Sequence, residues 1–151
     1  MSGHVPQPIA PPDPVRWREC HEYLRGLDLF NYGYYWEAHE AWEAVWHAAG
    51  RRGLLGDFLK GLIKLAAAGV KVREGRTLGV VRHARRAEEL FDRTAERMQN
   101  AAVTFERRLL GLSIDELRQI ARQVAENPPD LTPRDRVPPV EIVFDFSLAP
   151  I

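Results

Sequence analysis

Trp36, His39, Glu40, Glu43, Trp46 and His47 recur at spacings of three and four, which on an α-helix is one face. An imidazole and a carboxylate one turn apart can share a proton, hold a cation or orient a ligand, and indoles beside them offer flat apolar surfaces. The surrounding segment, residues 30–47, also carries Phe30, Tyr32, Tyr34, Tyr35, Trp42 and Glu37. Apolar stripes normally bury, and ionisable groups buried with them need partners. The stripe is therefore either a polar network that fixes helix packing or a ligand site.

Each metal chemistry asks for a fuller pattern. A zinc protease helix needs His-Glu-x-x-His, and position 43 holds glutamate where the second histidine would stand. A di-iron bundle needs Glu-x-x-His on two helices. The residues three before His21, His39, His47 and His83 are Arg18, Trp36, Ala44 and Val80. No metal and no cofactor is expected. Acid–base or anion-binding use of His39 and Glu43 beside Trp46, faced by Lys60 or Lys64, remains open. The preferred reading is structural: glutamates of one helix pair with lysines of the next and lock the register. Under it, removing His39 strands a buried Glu43 at a cost on the order of a few kcal/mol. Arg76 and His83 have six residues between them, a loose spacing shared with some small helical ribonucleases that arginine-rich helices reach by chance. Nucleophile elbows, phosphate-cradling glycine loops and Cys-x-x-Cys pairs do not occur. The aromatic cluster is expected to be core, and Asn31 to cap a helical hairpin turn through its side chain.

The elements that position these residues read as helices. A first helix is expected from Pro14 or Val15, with Trp17, Cys20, Tyr23, Leu24, Leu27 and Phe30 at helical spacing. Asn31-Tyr-Gly33 breaks it, and a second runs from about Tyr34 to Ala49. The hairpin has the outline of a single tetratricopeptide-type unit, but no second copy follows, so no array is expected. A third helix, Leu54 to Arg73, is apolar or small nearly all round and hence central. Its lysines 60, 64 and 71 share a face. A fourth spans about Arg76 to Gln99, with Arg82, Arg85 and Arg86 on an outer face. Ser113-x-x-Glu116 is a capping box that opens another helix, ended by Pro128-Pro129. Residues 100–112 are left between a connection and a short helix.

The expected fold is all-α, a compact bundle of about five helices over residues 15–127, with a flexible proline-rich arm at 1–14 and an extended tail at 128–151. The tail's Val140–Phe146 run is partly alternating, but with no other strand to pair with it is expected to lie on the bundle or on a second subunit. A chain of 151 residues with 45% hydrophobic content suits one core. Zero net charge gives no global field toward nucleic acid or membrane. Acids dominate Glu19–Trp46 and bases dominate Arg51–Arg86, so internal pairing between the halves is expected. The single Cys20 excludes an internal disulfide, fits a reducing compartment and sits beside Glu19, which disfavours a thiolate. With no signal-like start and no long apolar run, a cytoplasmic protein is expected.

The run Leu29-Phe30-Asn31-Tyr-Gly33-Tyr-Tyr35-Trp36-Glu37-Ala38-His39-Glu40-x-x-Glu43-x-x-Trp46 resembles a bacterial and archaeal family known as domain of unknown function 309. The block Phe58-Leu59-Lys60-Gly61-Leu62-Ile63-Lys64-Leu65-Ala66-Ala67-Ala68 is similar to the same family. There the helix typically reads Gln-Gly-Leu-Ile-Gln, and the lysines at 60 and 64 depart from it. The likeness covers about residues 25–95 and implies a small all-α bundle without an established activity. The leading expectation is a non-enzymatic helical module that binds a protein partner or self-associates through an exposed apolar tail, Ile142, Val143, Phe144 and Phe146. The alternatives are an enzyme or small-molecule-binding protein using Asn31, His39, Glu40, Glu43, Trp46, Lys60 and Lys64, and, less favoured, nucleic-acid binding through Arg82, Arg85 and Arg86.

Overall fold

The computed structural model describes residues 9–100, 107–130 and 140–151. The first eight residues of the expected flexible arm, residues 101–106 of the 100–112 connection and residues 131–139 of the tail lie outside them. Five helices pack together: α1 (His21–Asn31), α2 (Tyr35–Ala48), α3 (Gly53–Arg73), α4 (Thr77–Asn100) and α5 (Ile114–Glu126). Between α4 and α5 stands a two-residue-per-strand hairpin, β1 (Arg108–Leu109) and β2 (Leu112–Ser113). The all-α bundle is as the sequence implies, and each helix after the first falls within a residue or two of its expected bounds. The first starts later: Trp17–Glu19 form a 3-10 turn, and α1 begins only at His21. Asp13 accepts hydrogen bonds from the amides of Val15 and Arg16, so the chain turns where a first helix was expected.

α3 is the centre. Phe58, Leu59, Leu62, Ile63, Leu65, Ala66, Ala68 and Val72 are buried, and the helix contacts both α2 and α4. Small residues allow this. A Cβ at Gly69 would stand 2.6 Å from the Tyr35 ring, so α2 crosses α3 where only a hydrogen fits. α5 is capped by Ser113, whose Oγ accepts from the Glu116 amide at 3.2 Å, the bond its capping box predicts.

The β hairpin was not expected. Its loop is Leu110-Gly111, both left-handed, at φ 47° and 83°, the geometry of a two-residue turn usually written Asn-Gly. Leucine carries backbone strain there. Burial of Leu110 and a 2.8 Å hydrogen bond donated by the Tyr23 hydroxyl to its carbonyl hold it in place.

Among the described residues of the tail there is no strand. Residues 140–151 run extended over α1 and α2 of the same chain, with Phe144 and Leu148 buried. Phe30 stacks on Phe144 at 5.8 Å and meets Phe146 at 6.0 Å. Asn31 donates to the Leu148 carbonyl at 2.8 Å and accepts from its amide at 2.7 Å. Tyr35 Oη accepts from the Val143 amide at 3.0 Å, and Ile151 donates to the Gly111 carbonyl at 2.9 Å. Two expectations are corrected here. Asn31 does not cap the hairpin turn, which Gly33 makes at φ 89°; it clamps the tail. The apolar run is not free either: Val143, Phe144 and Phe146 pack on the chain's own core, and only Ile142 of that set stays exposed.

Candidate functional site

The face of α2 that enters the core is Tyr35, Ala38, Ala41, Trp42 and Val45. These recur at the same helical period as the Trp36–His47 stripe but are rotated from it. Because aromatic residues line both, spacing alone does not choose between them. Packing does: Trp42 is fully buried and donates its indole N–H to the Tyr23 carbonyl at 3.2 Å. Most of the stripe is left on the outside, with Trp36 53% exposed, while Trp46 is half-buried against the core. Its His39 Nε2 lies 3.6 Å from Glu43 Oε2, and the Glu43 side chain is 43% exposed. The expectation of a buried Glu43 is thus corrected: it is at the surface, where its charge stays hydrated.

The expected register lock is corrected too. Among the described residues no glutamate of α2 pairs with Lys60 or Lys64. Lys60 instead stands over the Trp46 ring, 4.2 Å from its centroid, where the π-face attracts the ammonium. The ion pairs of α4 run to α3, along itself and to α5: its Arg97 meets Asp57 of α3 at 3.1 Å, its Arg85 and Arg86 meet its own Glu88 and Glu89, and Arg122 and Arg118 of α5 meet its Glu88 and Asp92. Part-burial of Glu88 works against its charge, yet the two arginines hold its carboxyl below the ordinary range. Of the candidate basic face, Arg85 and Arg86 are therefore neutralised locally and Arg82 is exposed.

What the fold brings together is a groove across α3 between α2 and α4. Trp36 and His39 of α2, Ala67, Val70 and Lys71 of α3, Glu74 just beyond it, and His83 of α4 enclose roughly 440 Å³. Trp36 and His39 stack at 5.3 Å, with their planes 9° apart, and form the ridge of a second concavity with Glu40, Glu43, Ala44 and His47. Lys60, Lys64 and Lys71, four and seven apart, share the α3 face below. Lys71 pairs with Glu74 at 3.0 Å. Arg76, the proposed partner of His83 in the ribonuclease pattern, does not line the groove. Neither does Asn31, which belongs to the tail clamp.

The charges in this groove are uncomfortable. Burial lowers His39 below its ordinary value; Glu43 pulls it back, Lys60 lowers it, Glu40 raises it and Lys64 lowers it. Burial lowers His83 as well, and Lys64, Lys71 and His39 all act in the same direction. Lys64 is lowered by burial and then by Lys60 and Arg86. His39 Nδ1 and Trp46 Nε1 are buried with no hydrogen-bond partner among the described residues. No group of three or more His, Cys, Asp or Glu among the described residues is placed to hold a metal ion. His83 and Lys71 complete the site; the sequence grouped neither with His39, and weighed His83 only in the Arg76 pattern. The lysine spacing was a signal, but the α4 register that brings His83 over α3 is a property of packing.

A helical bundle with a polar groove across its central helix is the class that fold and site define. Residues 23–83 match the family described as domain of unknown function (DUF309), and this stretch of the chain is a DUF309 domain. The match begins in α1 and ends at His83, so it includes every residue of the groove. It stops short of the span to residue 95 that the resemblance suggested. Comparison with curated proteins finds no match. No helix among the described residues is long and apolar enough to cross a membrane.

Proposed function

We propose that the protein is a non-enzymatic binding module of the cytoplasm whose working surface is the groove across α3. The observation that carries this reading is the convergence of Trp36, His39, Lys71 and His83 from three helices on one concavity of roughly 440 Å³, within the size range of small-molecule sites. Large aromatic surface and ionisable groups are left outside a core that has no need of them. A single unpaired cysteine, half-buried, accords with a reducing compartment. Nucleic acid is not proposed, because Arg85 and Arg86 are engaged by Glu88 and Glu89. The test is amide chemical-shift mapping against a panel of small metabolites. Shifts confined to residues around Trp36, His39, Ala67, Val70 and His83 support the reading; a panel that leaves these amides unmoved sinks it.

A second reading, docking of a protein partner or a second copy, is favoured by a separate patch. Tyr32 is 68% and Ile142 61% exposed, and Gly33 packs against the backbone of Glu141 and Ile142, so turn and tail present these side chains together. Light scattering on the full chain and on a Tyr32→Ser, Ile142→Ser double variant tests it. A monomer in both, with no partner competing at this patch, removes the idea.

A further inference from the structure

We infer that the groove is a site for a small anion carrying a flat ring, its charge held by Lys64, His39 and His83 and its ring laid against Trp36. This rests on the reading of the groove as the working surface and adds the chemistry of what it takes. Lys71 and His83 line the groove, and Lys64, half-buried one turn before Ala67, shares its face of α3. Among the described residues neither Lys64 nor His83 joins an ion pair. Their charged neighbours are basic: Lys60 and Arg86 for Lys64; Lys64 and Lys71 for His83, joined by His39 when it is protonated. Half-buried like charges repel each other and have lost part of their hydration. An anion at the centre turns each repulsion into an attraction, and hydrogen bonds to charged donors are the strong ones. Ala67 and Val70 supply apolar floor, and Trp36 has one face on His39 and more than half of its surface open. Acids stand nearby without filling the role. Glu74 is held by Lys71, and Glu43 lies on the other side of the Trp36–His39 ridge.

Binding of an anion is also proton-linked. His39 faces Glu40 and Glu43 on its own helix, Lys60 and Lys64 on α3 and His83 on α4; His83 faces Lys64 and Lys71 on α3 and His39 on α2. The free site holds both imidazoles neutral at neutral pH, and the anion favours their protonated forms. Affinity therefore rises as pH falls.

The experiment uses benzenesulfonate, whose charge does not titrate near neutrality, against neutral benzenesulfonamide and inorganic sulfate. Calorimetry and amide shifts are recorded at about pH 5.5 and about pH 8, on either side of the ordinary histidine range. Benzenesulfonate is expected to bind in the groove at least about tenfold tighter than either control, and tighter at the lower pH. Lys64→Met is expected to weaken it about tenfold, and His83→Gln to remove much of the pH dependence, each with the wild-type amide spectrum otherwise retained. If the sulfonamide binds in the groove as well as the sulfonate, or Lys64→Met binds as wild type does, the anion inference falls while the groove reading stands. If an oligoglutamate peptide shifts the groove amides and benzenesulfonate does not, the occupant is an acidic protein segment and the small-anion inference falls. If neither these probes nor the metabolite panel moves those amides, both inferences fall.

Discussion

Two faces of the α1–α2 hairpin, a turn or so apart in sequence, treat similar residues in opposite ways. On one, Phe30, Asn31 and Tyr35 receive the tail, and the polar atoms there are answered: both amide groups of Asn31 bond Leu148, and the Tyr35 hydroxyl accepts from Val143. Burial pushes that hydroxyl's pKa up against the pull of the Val143 and Phe144 amides. On the other, Trp36 is open, His39 Nδ1 has no partner among the described residues, and the lysines of α3 face His83 of α4. A buried polar group left unanswered costs free energy. A face built to stabilise the fold removes such costs, and the groove keeps them. That difference separates scaffold from site more sharply than residue type does.

The comparison breaks first at its aromatic residues. Phe30→Ala removes a ring that meets Tyr35 at 5.2 Å, Trp42 at 5.7 Å and Phe144 at 5.8 Å, and is expected to cost about 3–5 kcal/mol in urea unfolding. Trp36→Ala, a larger deletion on the open face, is expected to cost no more than about 0.5 kcal/mol. Equal losses would abolish the distinction between the faces. The next effect is at the clamp. Asn31→Ala leaves two backbone groups of Leu148 without their protein partner and is expected to cost about 1–3 kcal/mol. Hydrogen exchange at the Leu148 and Val143 amides reads it directly: both accelerate together if the tail leaves as a unit, and unchanged exchange would show that the clamp is not what holds it.

How much of this was legible follows from what periodicity can and cannot specify. Helix positions were legible because apolar spacing, Gly33 and the Ser113–Glu116 box are local. The choice of buried face on α2 was not, because Tyr35/Trp42 and Trp36/Trp46 are equally aromatic stripes and only the fit of Tyr35 over Gly69 decides between them. The β hairpin was hidden by Leu110, a residue whose left-handed backbone is maintained by Tyr23, far away in sequence. Asn31 read as a turn cap for a local reason, while its partner is 117 residues on. His39, Glu40 and Glu43 were recognisable as unusual chemistry. That His83 and Lys71 join Trp36 and His39, while Glu43 turns to the other side of the ridge, depends on how three helices dock.

The groove's charges make a third difference, in pH. Folded His83 has a pKa below its unfolded value of about 6.5, so in the window between the two the unfolded chain binds more protons. Stability from this group is complete above about pH 6.5 and is lost as pH falls through the lower folded value. His83→Gln is expected to flatten the acid side of the stability curve and to change little at about pH 8. A variant with the wild-type slope would show that His83 is not held neutral by its surroundings. No residue of the tail face should alter that slope.

The smallest effect is the most discriminating. Were the stripe buried scaffold, Glu43→Gln would be severe. With its side chain 43% exposed and 3.6 Å from an imidazole that is neutral above the histidine range, the carboxylate contributes as a surface pair does, about 0–1 kcal/mol. Glu43 nevertheless raises the His39 pKa, partly opposing burial. Removing its charge leaves His39 lower still, so the folded state gives up its proton more readily and is penalised more on acidification. Thermal unfolding should therefore find Glu43→Gln level with wild type at about pH 8 and falling behind below about pH 6.5. A loss that is large and the same at every pH would return Glu43 to the scaffold, and with it the face on which the groove reading stands.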